Sequence, residues 1–119
     1  MDSDSRKSTL ETYGKSWSET DPSKRLKLFE QCLSPDCVYT DPNSQVTGYD
    51  QFSEYMTEFQ KSVPGGAFVA TNLNSHHDRS LMHWNMVDGK GDILSQGASF
   101  LLYGIDGRLQ QMTGFFETT

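Results

Sequence analysis

Residues 49–66, YDQFSEYMTEFQKSVPGG, decide how this chain is read. Tyr49, Phe52, Tyr55, Met56, Phe59 and Val63 recur at the spacing of one helical face, and Pro64-Gly65-Gly66 ends that period. Upstream, the signals are mostly helical. Leu10, Tyr13, Gly14 and Trp17 recur at i, i+3, i+4 and i+7, predicting a first helix to about Ser18, with Ser8 and Glu11 a capping box if it starts late. Asp21-Pro22 predicts the start of a second helix, because Asp accepts an orphan amide and Pro loses nothing at the first helical position. Its apolar face would be Leu26, Phe29, Cys32 and Leu33, with Lys24, Arg25 and Lys27 on the wet face. Cys37-Val38-Tyr39-Thr40-Asp41 reads as a strand halted by Pro42, and Gln45 to Gly48 as a loop.

Downstream of Gly66 the pattern becomes a meander: Ala67 to Asn74, Ser80 to Val87, Ile93 to Tyr103 and Leu109 to Glu117, with Asp106-Gly107 marking the last hairpin. The order α-α-β-α-β-β-β-β predicts an α+β fold, three helices packed on a curved, mostly antiparallel sheet that encloses one pocket. By the period of two, Met82, Trp84, Met86, then Ala98, Phe100, Leu102, then Met112, Gly114 and Phe116 are expected to face the helices. The opposite face, with His83, Asn85, Ser99, Gln111 and Thr113 among Leu81, Leu101, Tyr103 and Phe115, is mixed and suits a dimer interface.

At 119 residues there is room for one domain, with an expected ordered core of about 5–117. Ten Lys and Arg against sixteen Asp and Glu give a net charge of −6, which repels phosphate backbones and anionic membranes. Nucleic acid and membrane are not expected partners. Residues 1–10 hold no apolar stretch and the longest apolar run, Phe100 to Tyr103, is short, so a cytoplasmic protein is expected. Cys32 and Cys37 fit neither a zinc knuckle nor a redox pair and read as reduced, buried thiols. Seven Phe, five Tyr and two Trp build a core from large side chains, with five Met suited to lining gaps. Gly89-Lys90-Gly91-Asp92 has the spacing of no nucleotide-binding loop, and Gly97-Ala98-Ser99 lies in a strand rather than on a nucleophile elbow. No cofactor and no metal is expected.

The chain resembles the nuclear transport factor 2-like superfamily, in its SnoaL-like and ketosteroid-isomerase-like branch. The residues that carry the resemblance are Tyr13 and Trp17, Val38-Tyr39-Thr40-Asp41-Pro42, and Gly48 before an amphipathic helix. His76 to Trp84, and Asp106-Gly107-Arg108-Leu109 through Met112-Thr113-Gly114-Phe115-Phe116, complete it. The resemblance implies a cone-shaped fold, a homodimer and a pocket for a small hydrophobic or polyketide-like molecule. It further implies Asp41 as a proton-shuttling base and Tyr13 as hydrogen-bond donor to an enolate, in cofactor-free isomerase, cyclase or dehydratase chemistry. The family's second donor, an Asp on the penultimate strand, falls at Ala98 here.

The residues themselves leave two readings of Asp41. It is either a base aimed into an aromatic cavity or a strand terminator that accepts loop amides, in which case the chain is a non-catalytic binding or dimerisation module. His76 or His77 is a candidate proton donor or ligand contact at the pocket mouth. Trp17, Tyr39, Tyr55, Phe59 and Met82 are expected to line the pocket. Trp84, Ala98, Phe100, Met112 and Phe116 complete the expected wall.

Overall fold

The computed structural model describes residues 3–118, which form three helices and six strands. Helix α1 (Ser3–Ser18) precedes α2 (Pro22–Cys32). Strand β1 (Leu33–Asp41) turns into a short β2 (Ser44–Thr47), and α3 (Gly48–Ser62) follows. Then come β3 (Ala67–His76), β4 (Arg79–Val87), β5 (Ile93–Tyr103) and β6 (Leu109–Phe115). The sheet order is β2-β1-β6-β5-β4-β3, antiparallel except where β1 runs beside β6. The α+β architecture expected from the helix-then-meander order is therefore present, with the helices on one face of the sheet. Among the described residues no helix is long and apolar enough to cross a membrane.

Local chemistry explains most boundaries. Asp21 caps α2 by accepting the Ser23 amide at 2.9 Å. Helix α1 begins at Ser3, so Ser8 lies inside it and is no N-cap; its carbonyl accepts the Thr12 hydroxyl instead. The segment expected as a loop at Gln45 to Gly48 largely pairs with β1 as β2, Tyr39 opposite Val46, because its alternating exposure matches a hairpin edge.

The core is aromatic and centres on Trp17, which meets Tyr39, Phe52 and Phe59 each at 5.5 Å between ring centroids and Phe68 at 5.2 Å. Phe52 stacks on Tyr39 at 4.7 Å. Leu33, Leu101, Leu109 and Met112 close it from the sheet side. The helices thus bury one stripe each against the sheet.

Two expectations about faces are corrected. Arg25 is on the buried side of α2, 0 % exposed, while Leu26 is 42 % exposed. The Arg25 guanidinium donates to the Ser53 carbonyl at 2.7 Å, to the Ser53 and Thr57 hydroxyls, and to the Glu19 carbonyl, so a cation clamps α2, α3 and the α1–α2 turn. Burial lowers its pKa, opposed by Glu19. On β5 the parity is the reverse of that expected. Ser99, Leu101 and Tyr103 face the helices, and Ala98, Phe100 and Leu102 face outward. The register sets this. Trp84 pairs with Gly97 and Ser80 with Leu101, and residues directly opposite share a face.

Candidate functional site

A cavity of about 750 Å³ lies between α1 and the concave face of the sheet. Helix α1 contributes Leu10, Tyr13, Gly14 and Trp17, with Lys7, Glu11 and Lys15 exposed at the rim. The sheet contributes Tyr39, Phe68, Ala70, Leu73, Met82, Trp84 and Ser99. This wall is mostly aromatic and aliphatic with a few polar groups, the composition of a small-molecule site.

Glycine makes the far end of the cavity possible. A Cβ at Gly97 would stand 2.5 Å from two ring carbons of Trp84, so only glycine lets the indole lie across β5. Lying there, Trp84 donates its Nε1 proton to the Ser99 hydroxyl at 3.0 Å. On β6, a Cβ at Gly114 would meet the Tyr39 hydroxyl at 3.3 Å, and the Ser99 hydroxyl would be 4.0 Å away. The floor thus holds two hydroxyls beside bare backbone.

Asp41 sits behind this wall and does not line the cavity. One carboxylate oxygen accepts the Tyr39 hydroxyl at 2.8 Å and the Tyr55 hydroxyl at 2.6 Å. The other accepts the Asn43 amide at 2.8 Å and the Ser44 amide at 3.0 Å, closing the β1–β2 turn. Asp41 thus accepts loop amides at the end of β1, and its carboxylate touches the back of the cavity wall at the Tyr39 hydroxyl. Burial is the first cause that raises the phenol pKa values of Tyr13, Tyr39 and Tyr55; the Asp41 charge adds to it in all three. These hydroxyls are therefore donors across the physiological range.

The remaining expected residues are dispersed. Tyr13, Trp17, Tyr39, Met82 and Trp84 line the cavity. Tyr55 lines instead a surface depression between α2 and α3, with Leu26, Val46 and Tyr49. Phe59 supports the wall from behind by stacking on Phe68 at 5.1 Å, and Met112 is in the solid core. Phe116 lies beyond β6, its ring 6.2 Å from Trp84, and is not part of the wall. Ala98 and Phe100 cannot reach the cavity from the outer face. His76 and His77 lie exposed at the β3–β4 turn, Nδ1 to Nδ1 3.0 Å, with the His77 carbonyl accepting from Arg6, and neither lines the cavity. Among the described residues no three His, Cys, Asp or Glu side chains are grouped to hold a metal ion.

Ser99 is the site residue that sequence reasoning placed on the wrong face. The signal that could have found it is Gly97: a glycine inside an otherwise regular strand marks close approach by another group, here Trp84.

With the geometry in place, comparison with known proteins identifies relatives of this architecture. The SnoaL-like domain family matches residues 15–112. A candidate isomerase of the SnoaL-like family from Agrobacterium tumefaciens is 23 % identical, superposes with a TM-score of 0.86, and is covered over 98 % of its length by 96 % of this chain. A candidate polyketide cyclase from Sinorhizobium meliloti is 13 % identical with a TM-score of 0.72, over 90 % of this chain and 93 % of that one. A candidate ketosteroid isomerase from Kribbella flavida is 18 % identical with a TM-score of 0.71, over 98 % and 80 % respectively. At these identities the likeness establishes the fold, not the reaction. No curated protein matches.

Proposed function

This chain belongs to the SnoaL-like domain family, and from that premise we propose that it binds one small hydrophobic or polyketide-like molecule in the cavity between α1 and the sheet. The observation that carries this reading is an aromatic cavity of about 750 Å³ with charged side chains at its rim and the Tyr39 and Ser99 hydroxyls at its far end. Such a wall accepts an apolar body by burial at about 25 cal/mol per Å² and orients it by few hydrogen bonds. In this reading Asp41 is a positioning group that holds Tyr39 and the β1–β2 turn. The protein works as a homodimer through the outer face of the sheet, where Leu81 (40 % exposed) pairs with Phe100 and Phe115 (61 %) with Ala98.

A second reading makes the site catalytic, in cofactor-free proton transfer of the isomerase, cyclase or dehydratase type. It is favoured by Tyr39, which both lines the cavity and donates to Asp41, so that the carboxylate stands one hydroxyl away from a ligand. In this step the Tyr39 hydroxyl would take a proton from a carbon next to a carbonyl as it passes its own to Asp41, the base, while Tyr13 donates a hydrogen bond to the enolate that is left.

One titration tests both. 2-Acetylnaphthalene added to the protein should quench the fluorescence of Trp17 and Trp84 saturably, at one molecule per chain. No saturable change removes the binding reading. The same complex in heavy water, followed by NMR, should exchange its acetyl protons faster than free ketone only if proton transfer occurs, and Asp41→Asn should abolish that excess.

A further inference from the structure

The β3–β4 turn holds two histidines that the cavity does not use. His76 ends β3 opposite Arg79, so His77 and Asp78 are the two-residue loop of this hairpin. Consecutive strand residues point to opposite faces, which is why the sequence predicts no metal site here. The turn cancels that alternation. His77 has φ +50°, the only positive value outside glycine among the described residues, and its ring comes back onto its neighbour. The two Nδ1 atoms are 3.0 Å apart and the ring planes cross at 89°. Glycine is the usual residue at the first position of a tight hairpin loop with positive φ. A histidine there carries backbone strain, and strain of this kind collects at functional sites.

The separation of the two nitrogens selects a geometry. Two nitrogens each about 2.0–2.1 Å from one ion stand about 2.9 Å apart when they subtend about 90°, and about 3.3 Å apart in a tetrahedron. The histidine pair matches neighbouring positions of a tetragonal site, the preference of copper(II) and nickel(II) rather than of zinc(II). A neutral imidazole carries its one proton on either nitrogen, so moving the shared proton to Nε2 of the same exposed ring frees both Nδ1 lone pairs for an ion.

The loop is held in this shape from both sides. Arg79 gives its Nε and Nη2 protons to Asp78 Oδ1 at 3.0 and 2.8 Å, so that cation is paired. Arg6 donates to the His77 carbonyl and lies over the Tyr103 ring, 5.1 Å from its centroid, tying the loop to α1. Donors fixed before binding lose little freedom on binding. Independently of the cavity, we propose that His76 and His77 form a surface chelate for one divalent ion of tetragonal preference, copper(II) before nickel(II), with water on its remaining positions.

The test is a titration of the metal-free protein with copper(II) chloride, followed by calorimetry and electron paramagnetic resonance. One ion per chain should bind at this site, with the spectrum of a tetragonal ion coupled to imidazole nitrogen. His76→Ala and His77→Gly should each weaken binding at least about tenfold, because each removes one arm of the chelate. His83→Ala, on β4 and outside the turn, should leave it unchanged. His77→Gly should fold at least as stably as the parent, since glycine takes that backbone without strain, which separates lost copper from lost folding. Nickel(II) should bind more tightly than zinc(II). Equal copper(II) affinity in the parent and in His77→Gly, or a spectrum unchanged by both substitutions, overturns the site. Zinc(II) bound more tightly than nickel(II) overturns its tetragonal geometry.

Discussion

The Tyr55 hydroxyl on α3 donates to a carboxylate oxygen of Asp41 at the end of β1, 2.6 Å away. The Tyr39 hydroxyl meets the same oxygen from the cavity wall. One carboxylate therefore ties the third helix to the first strand and fixes a phenol ring that a ligand would touch. With two turn amides on its other oxygen, Asp41 accepts four hydrogen bonds.

Replacing that acceptor should be felt in stability. Asp41→Asn puts an amide nitrogen in place of one carboxylate oxygen where two donors converge, and strands either the Tyr39 and Tyr55 hydroxyls or the Asn43 and Ser44 amides. We expect a loss of about 1 to 3 kcal/mol in urea unfolding, and a smaller loss of about 1 kcal/mol for Tyr55→Phe, which removes one bond. An Asp41→Asn variant as stable as the parent would show that the four contacts do not hold the fold.

Arg25 makes a second stability prediction. Its guanidinium satisfies two carbonyls and two hydroxyls contributed by the α1–α2 turn and α3. Arg25→Met keeps the stem and strands those groups, and should cost about 2 to 4 kcal/mol. Lys24→Met, on the exposed side of the same helix, should change stability by under about 0.5 kcal/mol. If the two variants unfold at the same denaturant concentration, the clamp is not structural.

Alkaline pH should unfold the protein. Burial pushes the Cys32 thiol up to about 12 and the Cys37 thiol up to about 11, and it also raises the phenols of Tyr13, Tyr39, Tyr49, Tyr55 and Tyr103. A raised folded pKa means that the unfolded chain loses its proton first. The stability these groups contribute is full below their unfolded values and is lost as pH rises from about 9 toward the folded values, at up to about 1.4 kcal/mol per pH unit for each group that ionises only on unfolding. The phenolate absorbance should then appear together with loss of helix circular dichroism. Phenolate forming well before unfolding would contradict the buried environment of these rings.

The outer face of the sheet supplies a prediction about assembly. Phe115→Asp or Leu81→Arg should convert the proposed homodimer to monomer in sedimentation, with the circular dichroism unchanged, because both side chains already face away from the core. A wild-type protein that sediments as a monomer at high concentration would remove the dimer.

What the sequence determined by itself is what depends on near neighbours. The helical period of Tyr49 to Val63, the Asp21-Pro22 start, the break at Pro64-Gly65-Gly66 and the meander after it are settled by contacts within a few residues, and they suffice for the α+β architecture. Tertiary structure alone decided the rest. A period of two establishes that strand residues alternate but not which set faces inward, and on β5 both Phe100 with Leu102 and Leu101 with Tyr103 are apolar enough. The choice was made by a partner strand, through Trp84 lying across Gly97. The same holds for Arg25, whose acceptors at Ser53 and Thr57 lie 28 and 32 residues away. It holds again for Asp41, 14 residues from Tyr55, and for Ser99, 15 from Trp84. A buried polar group is stable only where a distant partner meets it, so its role is written in the packing of the whole chain rather than in its neighbours in sequence.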